Sequence, residues 1–451
     1  MAEITVILPS YNVADYIGEC LESVVTQTFR DIEILCIDAG STDGTLETIK
    51  EYMGADGRIR LYMSNKKSFG YQMNLGISIA QSPYIAFVET DDYVLQDMLM
   101  TLYGLAKEYD TDIVKADFDN VIRLADGQSW VLREGFGAGE LNYYDKVISL
   151  KEHPELYIAE YFYWRGLYKR EFLIRHGLRF QETPGASYQD MGFFYQLYLH
   201  TDKVYFSRDA FYQYRRNRGG SSNYCRDALD RLMQEYKYME EMVKPQTEGV
   251  KRLQPYYLER LFRQMLTRIR LLAAYGDKAQ EPQQALLYFQ GLFAKAEQDG
   301  EIDEMLWNAA DLRELFMFLS DADAYVQYHR LAYESKRRQM RKFVEKVRLR
   351  KEAVIFGSGR EGGFCNCLLQ SREVSTVKVF CDNHKTGSFM GKNILTPDES
   401  VREYGQAVFV LAGGRYNRQM RLQLLELGIS EEQIVIYGFG IDWLYLQMED
   451  W

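Results

Sequence analysis

Histidine and cysteine are scarce in this chain of 451 residues. The five histidines (His153, His176, His200, His329, His384) fall at no metal-ligand spacing, which argues against a zinc-type centre. The six cysteines (Cys20, Cys36, Cys225, Cys365, Cys367, Cys381) are scattered and form no C-x-x-C pair, and Cys20 and Cys36 lie in apolar stretches. That usage fits free structural thiols in a reducing compartment rather than a disulfide framework. Long apolar runs are missing too. No stretch reaches the length of a membrane span, and the first residues enter a strand pattern without the basic and apolar regions of a signal peptide. A cytoplasmic protein is expected, with peripheral contact at the inner face of a membrane left open. Positive charge is also short. Lys and Arg number 54 against 65 Asp and Glu, a formal net charge of −11, which argues against a general nucleic-acid binder.

What is present is a composition able to bury cores, 47% hydrophobic and 26% charged, over a length that suggests two or three domains. The 35 tyrosines suit carbohydrate surfaces, and equally cores and interfaces. Apolar runs at Ile4–Pro9, Ile32–Ile37, Ile59–Met63 and Tyr84–Val88 read as buried strands. They alternate with helical patterns at Tyr16–Thr26, Thr45–Tyr52 and Gly70–Ala80, with Asn12 or Asp15 able to cap the first. This alternation means a mostly parallel sheet with helices on both faces. Further strands are expected at Ile113–Phe118, Val204–Phe206 and Ala210–Arg215, and a helix from Tyr188 to about His200. The first domain is expected to cover 1–222. Residues 223–350 read as helical, and 351–451 as a small second α/β domain. The basic stretch Lys336–Lys351, with Met340, Phe343 and Val347 interleaved, is compatible with a membrane-surface helix but more simply a solvated or dimerising one.

Chemistry gathers at the strand ends. The run from Tyr84 to Val88 stops abruptly in Glu89, Asp91 and Asp92. Carboxylates on one strand tip repel unless a cation joins them, and oxygen ligands suit Mg²⁺ or Mn²⁺. Two neighbouring strand ends carry Pro9–Asn12 and Asp38–Asp43. In an open parallel sheet such ends meet where ligands bind. A nucleotide fits the set: Tyr11 can stack on a base, Asp38 can accept from it, and Asp91 can hold a metal that bridges a diphosphate.

Pro9-Ser10-Tyr11-Asn12, Ile37-Asp38-Ala39-Gly40-Ser41-Thr42-Asp43-Gly44-Thr45 and Val88-Glu89-Thr90-Asp91-Asp92, in this order and spacing, resemble family 2 glycosyltransferases of the GT-A fold. The resemblance covers roughly the first 220 residues. It implies a nucleotide-diphosphate sugar donor, provisionally a UDP-sugar, a divalent metal, and inversion at the anomeric carbon. The implied reaction is hexosyl transfer to a glycan, lipid-linked glycan or polymer of the cell envelope. Carried onto this chain, the metal ligand would be Asp91. The donor side would comprise Pro9, Tyr11, Asn12, Asp38, Ser41, Asp43, Lys66, Gly70, Asn74, Glu89 and Asp92. The family's base lies in a Glu-Asp pair at a helix start, matched here by Gln189-Asp190, so Asp190 is the implied base. A helix N-terminus would favour its ionised form. Trp164, Tyr188 and Gln189 would fall on the acceptor side, and Arg215, Arg216 and Arg218 beside Gly219-Gly220-Ser221 could form a lid. Two departures stand out. Met73 occupies a place often held by arginine, so Lys66 or Lys67 would have to supply that charge, and Gln189 replaces an acid.

Near the C-terminus, Gly357, Gly359 and Gly362 follow a strand pattern and open a helix, and Asp382 comes twenty residues later. This is the context of a dinucleotide fingerprint. It resembles the Rossmann-like modules appended to bacterial sugar-modifying enzymes. An NAD(P) site there, with an oxidoreductase or sensor function, is the alternative to a structural or oligomerising role.

Overall fold

The computed structural model describes residues 2–123, 127–135, 143–159, 162–216, 227–242, 247–275 and 282–440. Two compact units are present. The first holds the N-terminal sheet and helices up to Tyr325, and the second comprises the described residues of 122–130, 270–278 and 326–451.

In the first unit, β1 (Ile4–Ser10), β2 (Ile32–Asp38), β3 (Ile59–Met63) and β4 (Tyr84–Phe87) run parallel in the order β3-β2-β1-β4. Every residue of β1 and β4 is buried, as expected of strands covered on both faces. The intervening helices are α1 (Ala14–Val25), α2 (Thr45–Ala55) and α3 (Phe69–Ile79). The register sets Ser10 opposite Asp38 and Ile7 opposite Phe87, which brings the three strand ends to one edge. Neither Asn12 nor Asp15 caps α1. The cap position is Val13, and the Asn12 side chain is taken by the next loop, where its Oδ1 accepts from the Thr42 N–H at 2.9 Å.

The sheet continues through β5 (Tyr93–Val94), β6 (Ile113–Arg123), β7 (Ser129–Glu134), β8 (Val147–Ile148), β9 (Gly166–Lys169) and β10 (Val204–Arg215), with α4 (Met98–Tyr109), α5 (Leu156–Ala159), α6 (Arg170–Arg175) and α7 (Asp190–His200) between them. β9 enters antiparallel between β4 and β6. The two short strands expected at 204–206 and 210–215 are one long strand with register shifts near Ser207 and Ala210. Helices α8 (Ala228–Met242), α9 (Glu248–Tyr275), α10 (Gln283–Gln298) and α11 (Ala309–Ser320) follow.

The second unit contains α12 from Val326 on (the helix spans Ala322–Arg348) and a six-stranded sheet. Its strands are β11 (Glu352–Phe356), β12 (Thr376–Cys381), β13 (Gly387–Phe389), β14 (Lys392–Leu395), β15 (Val408–Leu411) and β16 (Ile434–Ile436), in the order β13-β14-β12-β11-β15-β16. Helices α13 (Arg360–Ser371), α14 (Pro397–Tyr404) and α15 (Asn417–Glu426) connect them. The hairpin β13–β14 is an edge feature not expected from sequence. Met340, Phe343 and Val347 of α12 are all buried, with Phe343 against Tyr437 and Phe439. The membrane-surface reading of this basic helix is therefore corrected: its apolar stripe is already covered by protein. Among the described residues no helix is long and apolar enough to cross a membrane. The five described cysteines are buried free thiols, and Cys225 lies outside the described residues.

Candidate active site

The β4 strand ends in a tight acidic turn, with the Asp92 N–H bonded to the Glu89 carbonyl at 3.0 Å. The Thr90 hydroxyl donates to the Pro9 carbonyl at 2.6 Å and fixes this turn to the end of β1. Glu89, Asp91 and Asp92 each offer a carboxylate oxygen within 4.8 Å of the others, and Asp91 and Asp92 are buried. Such an all-oxygen set suits a hard divalent cation. Tyr212 of β10 supports it from behind. Its hydroxyl accepts from the Glu89 N–H and donates to Asp92 Oδ2, both at 3.0 Å. The Arg215 N–H donates to Asp92 Oδ1 at 2.8 Å. Trp164 stacks on Tyr212 with ring centroids 4.0 Å apart and is 3% exposed, so it supports the acidic turn from inside rather than lining a cleft.

The loop after β2 is shaped by Asp38. Its Oδ1 accepts from the N–H groups of Gly40 and Ser41, and its Oδ2 from the hydroxyls of Ser10 and Ser41, all at 2.7–2.8 Å. Four donors fill the usual capacity of a carboxylate, so a nucleobase would have to compete with this loop for Asp38. Ser41 Oγ also accepts from the Asn12 N–H at 2.9 Å, joining the two loops. Asp43 accepts from the Ala14 and Thr45 backbones and the Thr45 hydroxyl. Loss of some hydration against the loop would raise the carboxyl of this exposed residue, but those bonds outweigh it and hold it below the ordinary value. Tyr11 is 43% exposed at the same edge, and Lys67 Nζ donates to its hydroxyl at 2.8 Å. Lys67 therefore brings a cation to this edge, while Lys66 pairs with Glu182 at 2.9 Å.

Asn74 and Gly70 act on the segment leading to Asp190. Asn74 exchanges two bonds with the Phe180 backbone, at 2.9 and 3.0 Å, in the manner of a strand neighbour. At Gly70 a Cβ would lie 1.7 Å from the Gln181 carbonyl oxygen, so only glycine admits this approach. Gln189 is 1% exposed. Its Oε1 accepts from the Gly70 N–H at 2.8 Å, and its Nε2 donates to the carbonyl and hydroxyl of Thr183. An ionised carboxylate could not donate to that carbonyl, which accounts for glutamine here. Gln189 ties α3 to the 183–189 loop from a buried place instead of facing an acceptor.

Asp190 opens α7. Burial raises its carboxyl above the ordinary value, opposed by its own backbone N–H and by Arg260 and Arg268 of α9. The helix N-terminus expected to keep it acidic is thus outweighed by desolvation. Tyr163 links the two halves of the site. Its hydroxyl donates to Glu89 Oε1 at 2.6 Å. Burial, then Glu89, Asp190 and Asp91, all push its phenol upward, so these three acids act on one group. Tyr163, Tyr212, Glu235 and the α9 arginines were not singled out from sequence. Tyr163 is hidden in an aromatic run. Glu235 and Arg268 had a signal: each is a charge on an apolar stripe, Leu232–Glu235–Met239 and Leu261–Met265–Arg268. Of the suggested lid, Arg215 bonds Glu19 at 2.6 Å, Arg216 lies over the Tyr214 ring, and Arg218 to Ser221 lie outside the described residues.

In the second unit, Asp382 is engaged within its own loop. Its Oδ2 accepts from the Ser358 N–H and hydroxyl, and its Oδ1 from the N–H groups of His384 and Lys385. A Cβ at Gly362 would lie 1.9 Å from the Gly357 carbonyl oxygen, and one at Gly357 would lie 2.7 Å from that of Ala412. Close packing explains these two glycines without a ligand. Gly359 alone of the three has nothing near its Cβ position.

Residues 5–174 match the model for Glycosyl transferase family 2. Glycosyltransferase GlyG of Streptococcus pneumoniae is 32% identical over 223 residues, 48% of this chain and 71% of that relative. Glycosyltransferase GlyA of the same organism is 31% identical over 277 residues, 58% of this chain but 37% of the relative's length. Among solved structures, S. aureus TarS 1-349 in complex with UDP-GlcNAc is similar in fold, with a TM-score of 0.52 at 19% identity, over 75% of this chain and 92% of that one. Motifs, α/β architecture and relatives agree, and the chain belongs to glycosyl transferase family 2 as a glycosyltransferase.

Proposed function

We propose that the chain is an inverting, metal-dependent transferase that moves a sugar from a nucleoside-diphosphate donor, in first place a UDP-sugar, to a hydroxyl of a cell-envelope glycan. The carrying observation is the trio Glu89, Asp91 and Asp92 at the end of β4, whose carboxylate oxygens lie within 4.8 Å of one another, with the Tyr163 hydroxyl donating to Glu89 Oε1 at 2.6 Å. The nucleotide would lie along the β1 and β2 loops, with its base at Tyr11 and Lys67 toward the diphosphate. Glu89, Asp91 and Asp92 would hold Mn²⁺ or Mg²⁺, which when bound offsets the charge of a departing diphosphate. Asp190 takes the proton of the acceptor hydroxyl. As that oxygen bonds to the anomeric carbon, the bond to the diphosphate breaks and its electron pair leaves with the phosphate oxygen. A carboxyl raised by burial is a stronger base than an ordinary aspartate, which suits this step near neutral pH. The UDP-GlcNAc complex of TarS supports the donor class, and the poly(ribitol-phosphate) beta-glucosyltransferase of Bacillus spizizenii, 36% identical over 115 residues and 18% of that relative's length, supports a polymer acceptor. The test is donor turnover with Mn²⁺ over a panel of UDP- and GDP-sugars. The expected result is release of one nucleoside diphosphate, lost in Asp91→Asn and Asp190→Asn. A panel left intact, or an active Asp190→Asn, overturns the reading.

A further inference from the structure

The family match ends at residue 174, yet the surroundings of Asp190 are completed by helices beyond it. From α8 comes Glu235, 1% exposed, whose Oε1 accepts from the Gly192 N–H at 3.0 Å in the first turn of α7. A Cβ at Gly192 would lie 2.8 Å from that oxygen, so the glycine makes room for the carboxylate. Gln189 gives α7 no side-chain cap, and this carboxylate from another helix satisfies one of its open N–H groups. From α9 comes Arg268, 9% exposed, its guanidinium 4.4 Å from the centre of the Tyr188 ring. Tyr188 has φ +66°, a left-handed conformation that bulky side chains adopt only under constraint. The turn it makes delivers Asp190 to the head of α7, with the Met191 N–H bonded to the Tyr188 carbonyl at 3.1 Å. Arg260, the other α9 cation, is committed elsewhere. It donates to the Tyr157 carbonyl at 2.9 Å and lies over the Tyr157 and Phe194 rings. Arg268 Nε has no hydrogen-bond acceptor among the described residues.

We propose that Arg268 is a positioning residue for sugar transfer: from α9 it clamps the Tyr188 turn that sets Asp190 at the head of α7, and with Arg260 it adds positive charge against the opposing acid Glu235 of α8. This rests on Asp190 being the base. The charged and titratable groups that act electrostatically on Asp190, or feel it, are Arg260 and Arg268 from α9, Glu235 from α8 and Tyr163 from the segment before β9. Removing the Arg268 charge leaves Asp190 harder to ionise, and removing Glu235 does the reverse.

The experiment uses the full chain and two readouts. The first is kcat/KM for hydrolysis of UDP-sugars against pH. Arg268→Met is expected to move the acid limb up by about half to one pH unit, and Arg268→Lys to restore it, because lysine keeps the charge but not the flat stack. Glu235→Gln is expected to move the limb down or leave it in place, never up. The second is a double-mutant cycle of Arg268→Met with Asp190→Asn, read by thermal melting. The Tm loss from Arg268→Met should shrink by about 2 °C when Asp190 is already neutral. Should Arg268→Met fail to fold, Arg268→Gln, which keeps a planar head over Tyr188, carries the same expectations. An unmoved acid limb, or melting effects that simply add, overturns the proposal. A coupled cycle together with an active Asp190→Asn would leave the charge pairing standing, remove Asp190 as base, and overturn Arg268's part in the reaction.

Discussion

At the scale of single residues, the site is a balance between acids that want a cation and acids that want a proton. Glu89, Asp91 and Asp92 share one small volume. Replacing Asp91 by asparagine removes a ligand charge and should lower turnover by roughly 100-fold or more, with activity partly regained at higher Mn²⁺, a titration that steady-state kinetics can follow. Tyr163→Phe removes a bond of 2.6 Å to Glu89 but keeps the ring among Phe69, Phe87 and Phe180. It should fold normally and show a several-fold weaker Mn²⁺ dependence constant, while truncation to alanine also damages the core. Asp190 and Glu235 behave differently. Burial raises both above their values in an unfolded chain. Each supports the fold while protonated, below about pH 4, and withdraws that support as pH rises through its raised value. Asp190→Asn and Glu235→Gln should therefore raise the urea midpoint at pH 7.5, with a gain that shrinks toward pH 4. A site acid kept for stability alone would show the opposite, and Asp190→Asn should combine greater stability with lost transfer.

At the scale of elements, the first four strands and their tips were legible because short-range pattern decides them. Each is an apolar run broken by polar turn formers, and β3 lies at 59–63 as the pattern predicts. What the pattern hides is set by distant partners. β9 is a four-residue strand that exists because it enters between β4 and β6, and nothing within Gly166–Lys169 announces either neighbour. β10 reads as two strands because Arg208 and Asp209 interrupt its alternation, yet its pairing with β6 continues across a register shift. The candidate site divides in the same way. The acids at strand ends follow from spacing, while Glu235 meets the Gly192 N–H and Arg268 the Tyr188 ring, on either side of Asp190 in sequence, only through the packing of α8 and α9. The 183–189 loop shows how strict such packing is. Gly70→Ala would drive a Cβ into the Gln181 carbonyl at 1.7 Å, and backbone displacement of that kind costs on the order of 1–3 kcal/mol. Gln189→Glu is the sharper probe, because it keeps size and the bond from the Gly70 N–H but sets a carboxylate against the Thr183 carbonyl. It should cut kcat/KM several-fold with a smaller change in melting temperature, which separates loop position from overall stability.

At the scale of the whole molecule, the sequence suggests a break near residue 351, while the compact second unit reaches back to Val326 and takes in the described residues of 122–130 and 270–278. The reason is visible in what is buried. Met340, Phe343 and Val347 on α12 are at most 4% exposed, and Phe343 packs on Tyr437 and Phe439. Trp130 is 6% exposed, with its ring against Phe364 and Phe389. Gly363 permits this, since a Cβ there would meet the Trp130 ring at 2.2 Å. A protein cut after Arg350 would strip Phe343 and Trp130 of their ring partners, each worth about 1.5–3 kcal/mol of lost burial. Such a truncation should therefore aggregate or melt early even if its transferase sheet is intact, and light scattering would register it. A cut before Val326 removes the α12 stripe as well and leaves behind the other buried side chains of the second unit, Trp130, Ile122, Leu271, Leu272 and Tyr275. Pairing that cut with Trp130→Ser should therefore reduce the scattering only in part, and the cut after Arg350, which also bares Phe343, should gain less from the same substitution. If the two truncations behave alike, the C-terminal sheet is an independent module, and α12 belongs with the helices that precede it.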